Sequence, residues 1–358
     1  MQDDPEALID GLAERENVTA LWELADRRVA GGDGAFVAGL GIALWRRYGG
    51  QPYPPWQYRS IFDRVVRLLA LSPGTVADAV RLLAVVGEGR PLRFSAALLA
   101  SGHGAGQLQP ALGAAAPNEL RACLLHELVL RGSDVEPGWT GEAWWREHPL
   151  AWLPAKLTAL EGRPKVTRYT LDGGRAGLLP AVPTCFEEGG GPVPAARETT
   201  TEQEAAAIGA AVRNWATESN GHVAAHTYAL DGTLRPGAVG ATLRGLGLEC
   251  LQGFGGLGSC TAGDAWQQLF AAASAGGAYN AGEYGAYGRL AAWRSAGALA
   301  GAPAGASAAE TERITRASAW YGFAGETDWF RRDGWDIGLA AVSPDGRRLA
   351  LLAATDTD

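Results

Sequence analysis

Three things are scarce in this chain of 358 residues. Lysine occurs only as Lys156 and Lys165, so all but two of the 31 basic residues are arginine, and with heavy alanine and glycine usage this points to a GC-rich bacterial genome. Cysteine occurs four times, as Cys123, Cys185, Cys250 and Cys260, and never as a CxxC pair. That spacing excludes the common zinc frameworks, and free thiols are expected without a disulfide scaffold or bound metal. No stretch approaches the roughly 20 apolar residues that span a bilayer, so no membrane contact is expected. The opening MQDDPEALID has neither the basic region nor the apolar run of a secretory signal, and a cytoplasmic protein is expected. Positive charge is in deficit as well. A formal net charge of −8 argues against nucleic acid, whose recognition needs clustered cations that displace counterions from phosphates.

What is plentiful is core-forming material. With 47% hydrophobic residues the chain can bury large cores, and at about 150 residues per domain its length suggests two units. Residues 5 to 132 read as successive helices. Val18, Leu21, Trp22, Ala25 and Val29 recur at helical spacing, as do Ile61, Val65, Leu68 and Leu69. Ser72 before Pro73 reads as the start of the next helix, and Asn118 as the cap of a last one through Leu120, Leu124 and Leu128. These helices form either a solenoid-like stack or an irregular bundle. Trp139, Trp144, Trp145 and Trp152 then crowd one short run. It reads as a packed connector between domains, with a stacking platform for a sugar or base as the alternative.

The second half mixes strands and helices. Val166 to Leu171 has strand composition and leads through Asp172-Gly173-Gly174 toward Ala176 to Val182 as a hairpin partner. Thr201 with Glu204 is a capping box for a helix through Trp215, and His222 to Leu230 is the clearest strand. Thr261 with Asp264 and Ser307 with Glu310 start further helices, the latter running through Ile314 and Trp320. Asp336 to Val342 and Arg347 to Ala354 flank the turn Ser343-Pro344-Asp345-Gly346 as a closing hairpin, with Ile337, Leu339, Leu349 and Leu351 on one face. The expected fold is α+β: a helical domain over 1–135, a Trp-rich packed connector over 136–160, and an α+β domain over 161–358 with a mixed or antiparallel sheet.

Chemistry is thin in these letters. Gly253, Gly255 and Gly258 complete a GxGxxG string ahead of a helix, where backbone amides meet a phosphate, but no second parallel strand with a ribose-binding acid follows. A packing turn explains the same glycines. Cys260 precedes the capping Thr261, where a helix dipole lowers a thiol pKa, and with His222 or His226 it would make a nucleophile-base pair. A small buried hydrophobe is the competing reading. His222 and His226 stand about 13 Å apart on a strand, too far to share one metal ion. Asp328, Asp333 and Asp336 lie among Arg289, Arg294, Arg331 and Arg332, which reads as ion pairs locking helices to the hairpin, with paired carboxylates for hydrolysis as the alternative. Tyr284 fits a packed loop or the rim of a binding site. No cofactor is called for.

The run Trp266-Gln267-Gln268-Leu269-Phe270, Gly276-Gly277-Ala278-Tyr279, Gly285-Ala286-Tyr287-Gly288-Arg289-Leu290 and the ending from Thr327-Asp328-Trp329-Phe330 to Ala353-Ala354-Thr355-Asp356 resemble a family of uncharacterised proteins from streptomycetes and related actinobacteria. The likeness is plainest over the last hundred residues and fades in the helical half. It implies a cytoplasmic, actinobacterial protein and no particular activity. Two function classes stand. The preferred one is a non-catalytic interaction protein with a protein partner, its oligomeric state open; the other is an enzyme of unknown substrate with a pocket near loop 253–258 and Cys260, drawing on His226 and Asp328.

Overall fold

The computed structural model describes residues 4–112, 116–135, 140, 142–175, 191–253, 255–325, 327–330 and 334–357. They divide into two compact units, Met1–Ala151 with Thr167–Arg175, and Trp152–Val166 with Ala176–Asp358. Cys185, Trp139, Asp333, Arg331, Arg332 and the expected strand over 176–182 lie outside the described residues.

Helical periodicity governs the first unit. Its helices are α1 (Pro5–Leu8), α2 (Thr19–Ala30), α3 (Gly34–Tyr48), α4 (Trp56–Leu71), α5 (Val76–Val86), α6 (Arg90–Gly102), α7 (Ala105–Leu108), α8 (Asn118–Leu130) and α9 (Ala143–Glu147). α4 starts behind Pro55, whose ring presets the entry, and buries Ile61, Val65, Leu68 and Leu69 as its spacing predicts. On α2 the predicted stripe is too wide: Leu21 and Ala25 are buried, but Trp22 is exposed. Two helix starts also differ from expectation. Thr75, donating its hydroxyl to the carbonyls of Leu69 and Ser72, precedes α5, and Asn118 is already inside α8, with Pro117 at the cap position. α3 packs on α4 and α5, α4 on α6, and α6 on α8. Ten of the thirteen residues of α8 are buried, including His126 and Glu127, so it is an interior helix. A short antiparallel hairpin, β1 (Arg168–Thr170) and β2 (Gly173–Arg175), completes the unit. Its turn is Leu171-Asp172, earlier than expected. Arg64 and Arg67 of α4 hold it, Arg64 donating to Leu171 O and Asp172 Oδ1 and Arg67 to the carbonyls of Thr170 and Gly173, at 2.8–3.1 Å.

The second unit is a six-stranded antiparallel sheet covered on both faces. In chain order come β3 (Ala196–Glu198), α10 (Glu202–Ile208), α11 (Arg213–Glu218), β4 (His222–Leu230), α12 (Val239–Gly245), β5 (Gly256–Cys260), α13 (Ala262–Ala275), α14 (Tyr284–Ala300), α15 (Ala308–Ala317), β6 (Ala319–Ala324), β7 (Asp336–Val342) and β8 (Arg348–Thr355). The strand order is β3-β4-β8-β7-β6-β5, so the closing hairpin β7-β8 occupies the centre. Three strands of this sheet were not foreseen, β3, β6 and the glycine-rich β5. β3 is three exposed residues with no alternation, and the aromatic run of β6 reads equally well as a continuation of α15, which in fact stops at Ala317.

Register decides the faces. Val342 pairs with Leu349 and Ala340 with Leu351, while Leu339 pairs with Leu352 and Ile337 with Ala354. Directly paired residues share a face, so Ile337 and Leu339 lie opposite to Leu349 and Leu351, and the expected single apolar face is in fact two. Leu349 and Leu351 join Tyr228, Val239, Leu243, Leu257 and Phe330 in one core, beneath α12 and the segment ending at Phe330. The other face, with Leu339, Leu352 and Ala354, is the one on which α13 and α14 pack. Both layers exclude water, which explains near-continuous apolar strands in an antiparallel sheet.

Candidate functional site

The candidates taken from the sequence are scattered by this sheet. Gly256–Cys260, expected within a loop, is the edge strand β5; the amide of Gly255 donates to Ala324 O and Gly258 pairs with Gly322. Those amides serve the ladder and do not face a phosphate. Gly253 sits in the preceding turn with φ +70°, a conformation open to glycine. Cys260 pairs with Trp320, in one row with Ala341, Ala350 and Thr227. His226 pairs with Leu351, in the neighbouring row that faces the other side. Four strand spacings separate β4 from β5, about 19 Å, so Cys260 and His226 are on opposite faces and far apart. The expected dipole effect on the thiol is also reversed: burial, helped by the nearby Asp264 carboxylate, pushes Cys260 up to about 12.

His226 has a different partner. Its Nδ1 lies 2.8 Å from Glu198 Oε1 on β3, and this contact holds the Glu198 carboxyl below its ordinary value. Tyr284 opens α14 with φ +58°, the one non-glycine residue in the left-handed region among those described. The loop before it is tied down by buried polar atoms. Asp356, fully buried, accepts from Ala278 N at 2.7 Å and Ser219 Oγ at 3.0 Å; Asn280 Nδ2 reaches Asn214 O at 2.7 Å. A Cβ on Gly277 would run into Asp356 Oδ2, which is why glycine stands there.

Among the described residues, two concavities lie within the second unit. The smaller, about 250 Å³, is polar and is lined by Asn220, His222, Glu249, Asp328, Trp329 and Thr355. It brings Asp328 together with His222, while Cys260, His226 and Tyr284 do not line it. Its wall is the turn in which Thr327 Oγ1 accepts from the amides of Trp329 and Phe330. The larger, about 610 Å³, lies between α10 and the C-terminal half of α14. Its small walls are Gly297, Ala298 and Gly301; its polar groups include Glu204, Arg294 and Arg348. Arg348 donates to the carbonyls of Leu299 and Ala298 at 2.7 and 3.0 Å, closing the end of α14, and burial lowers its guanidinium from the ordinary value against the opposing pull of Glu204. Sequence reading missed this cleft. Only the glycines and alanines of α14 and Trp152, the last tryptophan of the crowded run, hinted at it.

The arginines expected to lock helices to the hairpin behave differently from one another. Arg289 is fully buried and makes a fork-like pair with Glu161, Nε to Oε1 at 2.5 Å and Nη2 to Oε2 at 2.8 Å, and its remaining donors meet the carbonyls of Pro154 and Lys156. Trp293 Nε1 and the Thr158 amide add a third and a fourth donor to Glu161, each at 2.9 Å. This network fastens residues 154–161 to α14 and not to the hairpin. Among the described residues no three His, Cys, Asp or Glu side chains are grouped to hold a metal ion, and no helix is long and apolar enough to cross a membrane.

Residues 19–358 match the model of a family described as a family of unknown function, DUF6183. The match runs through the helical half, where the likeness read from the sequence had faded. No curated protein and no solved structure matches the chain.

Proposed function

The chain belongs to the DUF6183 family, and from its site geometry we propose that it works by binding a protein partner and not by catalysis. The observation that carries this reading is the separation of Cys260 from both histidines by four strand spacings and a whole sheet layer, with the thiol held protonated. A nucleophile needs its base within hydrogen-bond reach. The surface supplies contact residues of another kind. Tyr53, 93% exposed, and Trp56, 48% exposed, flank Pro54 and Pro55 ahead of α4. Tyrosine and tryptophan are the residues that most often dominate interface energetics. The resemblance to actinobacterial proteins implies an actinobacterial source, with which the GC-rich composition agrees, and the partner belongs in such a cell.

The test is co-purification of the full chain from that host at native expression. A partner at fixed stoichiometry is expected, kept by Cys260→Ser and lost by Tyr53→Ser with Trp56→Ser. A folded Cys260→Ser variant that loses all biological activity would overturn the reading. A second reading, an enzyme of unknown substrate, is favoured by one observation, the His222, Glu249 and Asp328 side chains around a single polar cleft. It expects His222→Gln to abolish the biological activity while partner binding persists.

A further inference from the structure

We propose that the cleft between α10 and the C-terminal half of α14 is a binding site for a small, ring-bearing apolar carboxylate. This stands independently of the partner reading, which concerns other residues. The cleft holds about 610 Å³, within the roughly 300–1,000 Å³ typical of small-molecule pockets. Its walls are short. Gly297 and Ala298 sit side by side on the last turn of α14, Gly301 follows as its C-cap, and Ala207 faces them from α10, so backbone and methyl groups line a space that longer side chains would fill.

An aromatic face borders this space. Trp152 is 36% exposed, yet it is held firmly, its Nε1 donating to Ala306 O at 3.1 Å and its ring set edge-on to the buried Trp293 at 5.8 Å. A flat apolar ring placed there gains stacking area without ordering a mobile side chain.

The charges then select the sign of the ligand. Glu204 is committed to the capping box of α10, accepting from Thr201 N and Oγ1, and it faces Arg348 as its counter-charge. Arg348 spends both terminal nitrogens on the end of α14. Arg294 is exposed at the cleft and donates to no acceptor among the described residues. One guanidinium is therefore left uncompensated beside an apolar, aromatic wall. A carboxylate satisfies it through two parallel hydrogen bonds, whereas a cation has no free acid to meet and a doubly charged phosphate leaves one charge unmatched.

Calorimetric titration of the full chain with naphthoate, and with the neutral naphthylmethanol, tests this. Saturable one-to-one binding of naphthoate is expected, about tenfold or more tighter than naphthylmethanol, and weakened about tenfold or more by Arg294→Gln. Ala207→Phe, which fills the cleft, should abolish binding, and Arg313→Gln, paired with Glu310 on α15 and itself outside the cleft lining, should leave it unchanged. Thermal melting checks that each variant is folded; Arg294 is exposed, so its variant carries the test even if Ala207→Phe unfolds. No saturable binding of naphthoate, or equal affinities for the two probes or for native and Arg294→Gln chains, overturns the proposal.

Discussion

Cys260 shows how little a local motif says about a side chain's chemistry. Adjacency to a capped helix start argues for a reactive thiolate, but pairing with Trp320 turns the sulfur toward the layer under α13 and α14, where it is half-buried and partly shielded from water. The sign follows. The folded state binds the thiol proton more tightly than the unfolded chain, so the contribution to stability is complete below the ordinary thiol value of 9.0 and is lost as pH rises toward about 12. Iodoacetamide labelling of the native chain should therefore be slow at pH 8 and keep accelerating above pH 10, where an unperturbed thiol has levelled off; labelling that plateaus near pH 9, followed by mass spectrometry, would contradict the half-buried placement. Cys123 should be slower still, since it is fully buried and its thiol is raised well above the ordinary value. Glu161 is a fully buried acid whose loss is costly. Glu161→Gln leaves Arg289 buried without its counter-charge, and a loss of about 3–5 kcal/mol is expected in urea unfolding. A variant as stable as the native chain would show that the pair does not hold residues 154–161 in place.

At the scale of elements, three directly capped helix starts in the second unit were legible, whereas Asp33, which caps α3 by accepting from the Phe36 amide, was not recognised. Thr201 and Thr261 each accept from the amide three residues on, with Glu204 and Asp264 returning to the cap, as their sequence pattern predicts. Ser307 likewise caps α15. Ser72 ends α4 as its C-cap, and Gly74 with φ +82° turns the chain before Thr75 opens α5; Asn118 falls one residue inside α8, behind Pro117. Thr261→Ala should cost about 1 kcal/mol, read as a lowered urea midpoint without a changed slope. An unchanged midpoint would mean that α13 is held by packing alone. Strands were legible when long and poorly legible when short: β4, β7 and β8 were foreseen, but β3 has three exposed residues and no pattern to detect.

For the whole molecule the central position of β7 and β8 matters most. Removing residues 336–358 would leave β3-β4 and β6-β5 as separate pairs, each with open edges and an uncovered face. The truncated chain should show no cooperative thermal transition for the second unit by calorimetry; a surviving transition of native enthalpy would mean that the hairpin is an appendage. The first unit has no comparable dependence on distant strands. Its helices pack mainly on those next or next but one in the chain, so its architecture follows closely from local periodicity.

The sequence by itself determined the α+β class, the run of helices before residue 132, the turn at Ser343–Gly346 and the capped starts of α10, α13 and α15, because each depends on residues a few positions apart. Tertiary structure alone decided which residues meet. Cross-strand register placed Ile337 and Leu349 on opposite faces, set Cys260 and His226 a sheet layer apart, and drew Asp328 to His222 across more than a hundred positions. The same holds for Glu161 and Arg289, and for Trp152, Glu204, Arg294 and Arg348 around the larger cleft. Such meetings are set by strand order and by where short side chains leave room, and neither is written in the spacing of any single segment.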